Sequence, residues 1–492
     1  MLSVCLALSL LQDPPVTRVP ANKDTVKIVL SGESTMDYVN RSREITAFID
    51  SISNPFGLGS PLTSRPENTV EGYVAMRFDA ELNSKIAFVL EIGTKRVEGD
   101  PDPLINNGKG ILRLGENEEA PVPAIREAHV TITDLLAAGL AIELGLTTWT
   151  FDVRGRGSSF AFAPRRSVTW TRNVDSASAI NGFEQADERL IDAGFPDEVE
   201  PFGAWVAFNP GGFIVDIVLL PAVVEGGQPN RDEALYVIDG WLPIDSVGKG
   251  SRIGAIIGLT SFSTNVVTPG GEEHAKTWTI GLGADLHLMD GALDVFIEGY
   301  FQTGRVGEVG GQDVDAAGRA FQLGFEWRHT AGNPMPIWVN ATYFYISGDG
   351  DTDPADDQAN RFASYENVND LIVLEDAYLG LNWSSNFTGL KFGGGIAVSA
   401  IGKDDLSIEI LIGITRTAED VGAAPNETDK LGNEIDLKLK WSLNKQFMLR
   451  LSLGFLVGSD VLENAMDGGV PGSNPQAEDS ASLWLFGFDI KV

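Results

Sequence analysis

Few residues in this sequence could perform catalysis. The four histidines, His129, His274, His287 and His329, are widely spaced, and none belongs to an HExxH motif. The sequence also lacks a GxSxG nucleophile elbow, a Walker loop and a dinucleotide-binding fingerprint. We therefore expect no catalytic residues and no enzymatic activity; a hydrolase assembled across barrel strands is the alternative.

Arginine is concentrated in one long segment, Asp152 to Glu200, of a chain whose formal net charge is −33. No acidic residue separates the five arginines of this cluster, which are Arg154, Arg156, Arg165, Arg166 and Arg172. Guanidinium groups held in a low-dielectric constriction attract carboxylates and repel cations. We predict that this segment folds into a pore and favours anions. The alternative is a solvated loop that faces anionic lipopolysaccharide at the outer rim.

A second charged segment is acidic. Asp349, Asp351 and Asp353 resemble a calcium-binding loop in spacing, but Pro354 stands where an EF-hand needs glycine. A weak Ca²⁺ site and a solvated acidic loop are both consistent with this pattern. We expect no other metal and no cofactor.

Charged residues also alternate with apolar residues inside several predicted strands. If Leu437, Leu439 and Trp441 face lipid, the residues between them face the opposite side. A Lys or Arg on the lipid face near mid-membrane would cost about 2–4 kcal/mol, which fixes this choice of faces. The predicted pore-lining residues on the strands are Glu326, Arg328, Asp436, Lys438, Lys440 and Arg450. The alternative role for these residues is to form ion pairs that stiffen a narrow pore without selecting solutes.

The elements that carry these residues are strands, as the hairpin from Thr277 to Gln302 illustrates. Apolar and polar residues alternate along its first arm, Asp290-Gly291 provides a turn, and the return arm alternates again. Each arm is close to the 9–11 residues with which a tilted strand crosses a bilayer. The apolar face has aromatic residues near both ends, as in a lipid-facing wall with interfacial girdles.

The same pattern recurs along the chain and predicts about 18 strands. No apolar run has the length of a membrane-spanning helix, so a membrane protein with this sequence must be a closed barrel. With both termini on one side, an antiparallel barrel needs an even number of strands. We therefore place Leu371–Trp383 in an extracellular loop and not in the wall. The predicted fold is all-β, an antiparallel transmembrane β-barrel with short periplasmic turns and long extracellular loops.

The bulk composition fits one domain. Residues 1–20 are predicted to be a signal peptide and short leader, because Leu2 to Leu11 is an apolar run of the expected length. Residues 24–492 are predicted to form one barrel domain. Cys5, inside the apolar start, is the only cysteine, so disulfides and thiolate metal sites are not expected in the barrel. The strong negative charge argues against nucleic acid as a partner.

Three stretches resemble the alginate-export family of outer-membrane β-barrel porins. They are Arg126–Val130 (REAHV), Phe296–Gly304 (FIEGYFQTG) and Tyr345–Asp351 (YISGDGD), within a resemblance that covers roughly residues 70 to 400. Leu146 and Thr147 stand where the family has Arg-Gln. The resemblance implies an 18-stranded monomeric pore in the outer membrane, but the cationic alginate constriction of the family does not carry over, because the matching positions are not basic here.

Together these features predict an outer-membrane porin for passive diffusion or export of hydrophilic solutes, with anionic saccharides as one candidate class. Its expected partners are outer-membrane lipid and a small hydrophilic or saccharide solute, and we expect a monomer. The alternative is a surface-exposed barrel that binds a partner or divalent cations through its acidic loops and conducts little.

Overall fold

The computed structural model describes most of the predicted wall and parts of the connections. The described residues are 26–42, 67–94, 123–134, 139–146, 202–209, 213–224, 233–268, 271–309, 312–329, 335–348, 358–360, 362, 370–375, 381, 386–400, 404–421, 428–466 and 479–491. The arginine cluster, the residues of the predicted calcium loop and the predicted signal peptide lie outside them.

Alternating sequences form strands throughout this region, because alternation lets one face contact lipid while the other faces the interior. In chain order the strands are β1 (Lys27–Arg41), β2 (Glu67–Asn83), β3 (Ile86–Thr94), β4 (Pro123–Thr133), β5 (Leu140–Leu146), β6 (Phe202–Phe208), β7 (Ile214–Val224), β8 (Glu233–Pro243), β9 (Arg252–Thr268), β10 (Gly271–Leu288), β11 (Leu293–Val309), β12 (Gln312–Ala316), β13 (Arg319–His329), β14 (Ile337–Ile346), β15 (Gln358–Ala359), β16 (Phe387–Ala400), β17 (Asp404–Val421), β18 (Thr428–Ser442), β19 (Phe447–Val457) and β20 (Ala481–Lys491).

The sheet closes on itself. Each wall strand pairs antiparallel with the next, and β1 pairs antiparallel with β20 from Glu33↔Lys491 to Arg41↔Leu483. Two of the twenty strands, β12 and β15, are short and pair with each other in parallel beyond the main wall. The wall is therefore an 18-stranded closed antiparallel barrel, and the predicted fold class and strand number are confirmed.

The two faces of the wall differ as the alternation predicts. On the β10–β11 hairpin, Trp278, Leu282 and Phe301 are exposed on the outside, whereas Thr279 and Glu298 are buried on the inside. The outer surface is consistently apolar, as expected for a surface in contact with the hydrocarbon of a membrane.

One rim of the barrel carries the beginning of β1, the end of β20 and the short turns. The β2–β3 and β18–β19 turns are each closed by an asparagine, Asn83 or Asn444, whose side-chain oxygen accepts two backbone N–H groups. In the β10–β11 turn, Met289 and Asp290 adopt positive φ angles of 53° and 57°. Short turns are typical of the periplasmic rim of outer-membrane barrels.

The opposite rim carries a short helix, α1 (Asp460–Met466), which follows β19 and contacts β18. No helix within the described ranges is long and apolar enough to cross a membrane.

Candidate functional site

A short turn, Asp370–Glu375, lies inside the barrel and contacts its inner wall. The backbone N–H of Ile372 donates a hydrogen bond to Asp436 Oδ2 at 3.0 Å. The amides of Val373 and Leu374 donate to the two carboxylate oxygens of Glu434, at 2.6 and 2.9 Å. Leu371–Glu375, the first residues of the segment that the sequence placed in an extracellular loop, therefore lie in the β14–β16 connection and not in a wall strand. They fold inward onto the inner wall, which the sequence did not predict. We call Asp370–Glu375 the latch turn.

The latch turn is closed by its own last residue. Glu375 Oε2 accepts hydrogen bonds from the backbone amides of Asp370 and Leu371, at 3.0 and 2.9 Å. The Glu375 amide also donates to the Leu371 carbonyl oxygen at 2.9 Å. These bonds bend the backbone so that the three intervening amides point away from the turn and toward the wall.

A buried lysine on β16 holds the other side of the turn. Lys391 Nζ lies 2.6 Å from Glu375 Oε1 and 3.1 Å from Asp370 Oδ2, and it also lies 4.8 Å from the ring centre of Phe344. Lys438 on β18 adds a hydrogen bond from its Nζ to the Asp370 carbonyl oxygen at 2.5 Å. Cations from two strands therefore balance the acidic groups of the latch turn.

Glycines on the wall make room for the apolar side chains of the turn. A Cβ at Gly413 would lie 2.7 Å from Leu371 Cδ1, and a Cβ at Gly454 would lie 2.5 Å from Ile372 Cγ1. Both distances are shorter than any ordinary contact, so a larger residue at either position would push the turn toward the pore axis. Leu371, Val373 and Leu374 are fully buried here.

Burial changes the protonation of the turn. Removal from water raises the pKa of Glu375 to about 7, while the Lys391 cation opposes that rise and Asp370 adds to it. The other carboxylates packed against the turn are Glu434 and Asp436. A carboxyl with this pKa changes charge near neutral pH, so the charge inside the barrel is sensitive to pH at the latch turn.

The connection that carries the latch turn touches the inner wall at further points. Phe362 is fully buried and its ring centre lies 6.3 Å from that of Tyr300 on β11. Asn386 anchors the end of the connection, because its side-chain oxygen accepts the Glu419 amide at 2.7 Å. The described parts of the β14–β16 connection thus line the interior along strands on one side of the barrel, from β11 to β19.

The predicted pore-lining residues on the strands all face the interior. Arg450 Nη2 lies 2.7 Å from Asp37 on β1 and 2.9 Å from Asp489 on β20, so it joins three strands across the closure. Glu326 and Arg328 form an ion pair. Lys440 is exposed to the interior. Asp436 and Lys438 contact the latch turn, as described above. Their roles in conduction remain predictions.

The other predicted site residues fall outside the described ranges. These are Arg154, Arg156, Arg165, Arg166 and Arg172 in the predicted constriction, and Asp349, Asp351 and Asp353 in the predicted calcium loop. No cluster of three or more His, Cys, Asp or Glu suited to a metal ion occurs among the residues that the structure describes. The Ca²⁺ expectation stays a prediction.

Two key residues, Glu375 and Lys391, were not identified from the sequence. Lys391 carries one signal that could have revealed it: it lies between Leu390 and Phe392, which face lipid, so it must face inward. Gly413 and Gly454 carry another, because inward glycines at neighbouring wall positions leave space for something to pack.

Folding brings two histidines close to carboxylates on a neighbouring strand: His129 Nε2 lies 3.8 Å from Glu143 Oε2, and His287 lies closer to its partner. His287 Nδ1 lies 2.5 Å from Asp294 Oδ1 across the β10–β11 hairpin. Ser251 is close, but its Oγ accepts the backbone N–H of His287 at 2.9 Å. The hydroxyl is thus engaged by the backbone and supports the turn. The absence of enzymatic activity remains a prediction.

Comparisons with known proteins support the architecture. No protein-family model and no curated protein matches the sequence. Among solved structures, OccAB2 of Acinetobacter baumannii is similar, with a TM-score of 0.50 at 10% identity, over 95% of this chain and 98% of that chain. OccK8 (OprE) of Pseudomonas aeruginosa has a TM-score of 0.47 at 9% identity, over 95% and 98%. An anion-selective porin from Comamonas acidovorans has a TM-score of 0.40 at 10% identity, over 95% and 100%.

The similarity to OccAB2 and the closed wall show that the chain has the fold of an outer-membrane β-barrel porin. The predicted location in the outer membrane is confirmed. The comparisons do not support the alginate-export family in particular.

Proposed function

We propose that this protein is a passive outer-membrane channel for hydrophilic solutes, narrowed by the latch turn. The observation that carries the proposal is a segment docked on the inner wall of a closed barrel by hydrogen bonds from Ile372, Val373 and Leu374. A barrel of this size encloses an aqueous lumen, and a segment fixed against its wall reduces the open cross-section without closing it.

The charges of the inner wall support this proposal. Interior ion pairs such as Arg77–Asp79 and Arg450–Asp37 place both signs of charge along the lumen. Such a wall favours a lumen filled with water and hydrated solutes, because contact between these charged groups and an apolar filling would cost free energy.

The identity of the transported solute is part of this proposal. We infer small or oligomeric hydrophilic molecules, with saccharides, including anionic ones, as the candidate class. An alginate-export role is the narrower form of this proposal and depends on the three resembling stretches. We further propose that the barrel acts as a monomer surrounded by outer-membrane lipid.

Purified full-length protein reconstituted in a planar lipid bilayer tests the proposal. We expect steady single-channel steps at constant voltage, and a sample denatured by boiling should give none. A correctly folded sample that stays electrically silent would contradict the channel. It would favour the alternative of a surface barrel whose acidic loops bind a partner or divalent ions. Faster migration of the unheated protein on an SDS gel establishes that the silent sample is folded.

A further inference from the structure

Three tryptophans on the described strands point into the barrel, and two of them already contact another side chain. Trp205 on β6 forms a side-chain hydrogen bond with Asp216 on β7. Trp241 on β8 has the guanidinium carbon of Arg252 at 4.6 Å from its ring centre. Trp338 on β14 has neither kind of contact with the residues that the structure describes. Within that part of the chain, its indole N–H and ring are the ones without a polar or cationic partner.

Glycines in the wall beside Trp338 leave space for its indole ring. A Cβ at Gly395, its neighbour on β16, would lie 2.1 Å from Cζ2 and 2.5 Å from Cε2 of the indole. The indole thus rests on bare backbone. A Cβ at Gly393 would likewise lie 2.3 Å from Asn340 Oδ1. Two consecutive inward side chains of β14 are therefore held against a glycine surface.

Polar groups flank the ring on both sides. Arg328 pairs in register with Trp338 from β13, and its side chain is 57% exposed. On the other side, Gly395 pairs with Glu409 on β17, and Glu409 pairs in register with Lys438. Arg328 and Glu409 are three strand spacings apart, about 14 Å at 4.8 Å per spacing. Trp338 lies between a donor and an acceptor.

This combination has a characteristic ligand. A pyranose ring has an apolar face of C–H groups and a rim of hydroxyls that donate and accept hydrogen bonds. An indole can stack on the C–H face, and a guanidinium and a carboxylate can form hydrogen bonds with the hydroxyls. A phosphate or a metal ion would make no use of the tryptophan, and an apolar ligand would remove water from the charged groups without replacing its hydrogen bonds.

We propose that Trp338, Arg328 and Glu409 form a saccharide-binding subsite on the inner wall, between the latch turn and the periplasmic rim. This inference rests on the proposed channel function, since it names the class of solute. The subsite would hold a short oligosaccharide against the wall as it passes through the lumen.

Equilibrium binding tests the subsite without relying on conduction. Full-length protein in detergent is titrated calorimetrically with a short neutral glucan oligomer, and the current block by the same oligomer is measured in bilayers. We expect W338A to weaken binding about tenfold, the loss of about one stacking contact. W338F should retain most of the affinity.

The matched control is W327A, because Trp327 lies one strand away on the outer, lipid-facing surface. E409Q should weaken binding, whereas W327A should leave it unchanged. Wild-type affinity in W338A, or no binding of the oligomer to folded wild-type protein, overturns the subsite. Oligomer binding by a protein that does not conduct would overturn the channel and leave the subsite standing.

Discussion

The contacts of the latch turn predict what happens when Glu434 is replaced. Replacing Glu434 with alanine removes the acceptors of two amides, those of Val373 and Leu374, whose residues are fully buried. Leaving a buried amide without an acceptor costs about 1–3 kcal/mol, so the loss is about 2–6 kcal/mol if both amides stay in place. Each 1.4 kcal/mol is about a tenfold change in population. The released state of the turn should therefore become at least about tenfold more populated in E434A.

The expected result is a change in single-channel behaviour. Wild-type channels should give steady steps, whereas E434A channels should fluctuate between the wild-type level and larger openings. E434Q retains one carbonyl acceptor and should be intermediate, which gives a graded series from Glu to Gln to Ala.

The matched control is E409A, which removes a carboxyl group from the neighbouring strand, where Glu409 accepts none of the amides of the latch turn. It isolates the effect of lost charge in the lumen from the effect of lost anchoring. If the current of E434A channels fluctuates no more than that of E409A channels and has the same size, the hydrogen bonds to Glu434 do not hold the turn in the pore. That result would refute the prediction.

Three further outcomes are expected. Because the pKa of Glu375 is about 7 in the docked turn and 4.5 is its ordinary value, docking is strongest below about pH 4.5 and weakens as the pH rises to about 7. Current fluctuations should thus increase over that range, and E375Q should remove the dependence; a flat wild-type profile would contradict it. L439R should reduce membrane insertion far more than K440L, since the first places a charge in hydrocarbon and the second removes one from the lumen; equal insertion yields on heat-shift gels would show the face assignment to be wrong. Finally, if the Asp152–Glu200 segment forms the constriction, replacing its arginines with serine should shift the reversal potential, measured in a salt gradient, toward cations. The arginines are Arg154, Arg156, Arg165, Arg166 and Arg172. The absence of a shift would place them outside the constriction.

Much of the fold could be predicted from the sequence, because the wall obeys a local rule. Each strand needs one lipid-compatible face, so period-two alternation reports both the strand and its orientation. This is why Lys438 and Lys440 could be placed inside from Leu437 and Leu439 alone. The even strand number followed from closure, and it correctly kept Leu371–Glu375 out of the wall.

The latch turn could not be predicted in the same way. Its partners, Glu434 and Asp436, are about sixty residues further along the chain, and the contacts join backbone amides to side chains. A backbone amide has no sequence signature, so nothing in Leu371–Glu375 shows what it binds. A run of four apolar residues, Leu371–Leu374, beside an acidic loop is equally consistent with a wall strand and with an outer loop. Alternation along each strand therefore determined the barrel and which side chains enter its lumen. Only the tertiary structure decided how that lumen is filled, because the filling depends on which distant strands closure brings side by side.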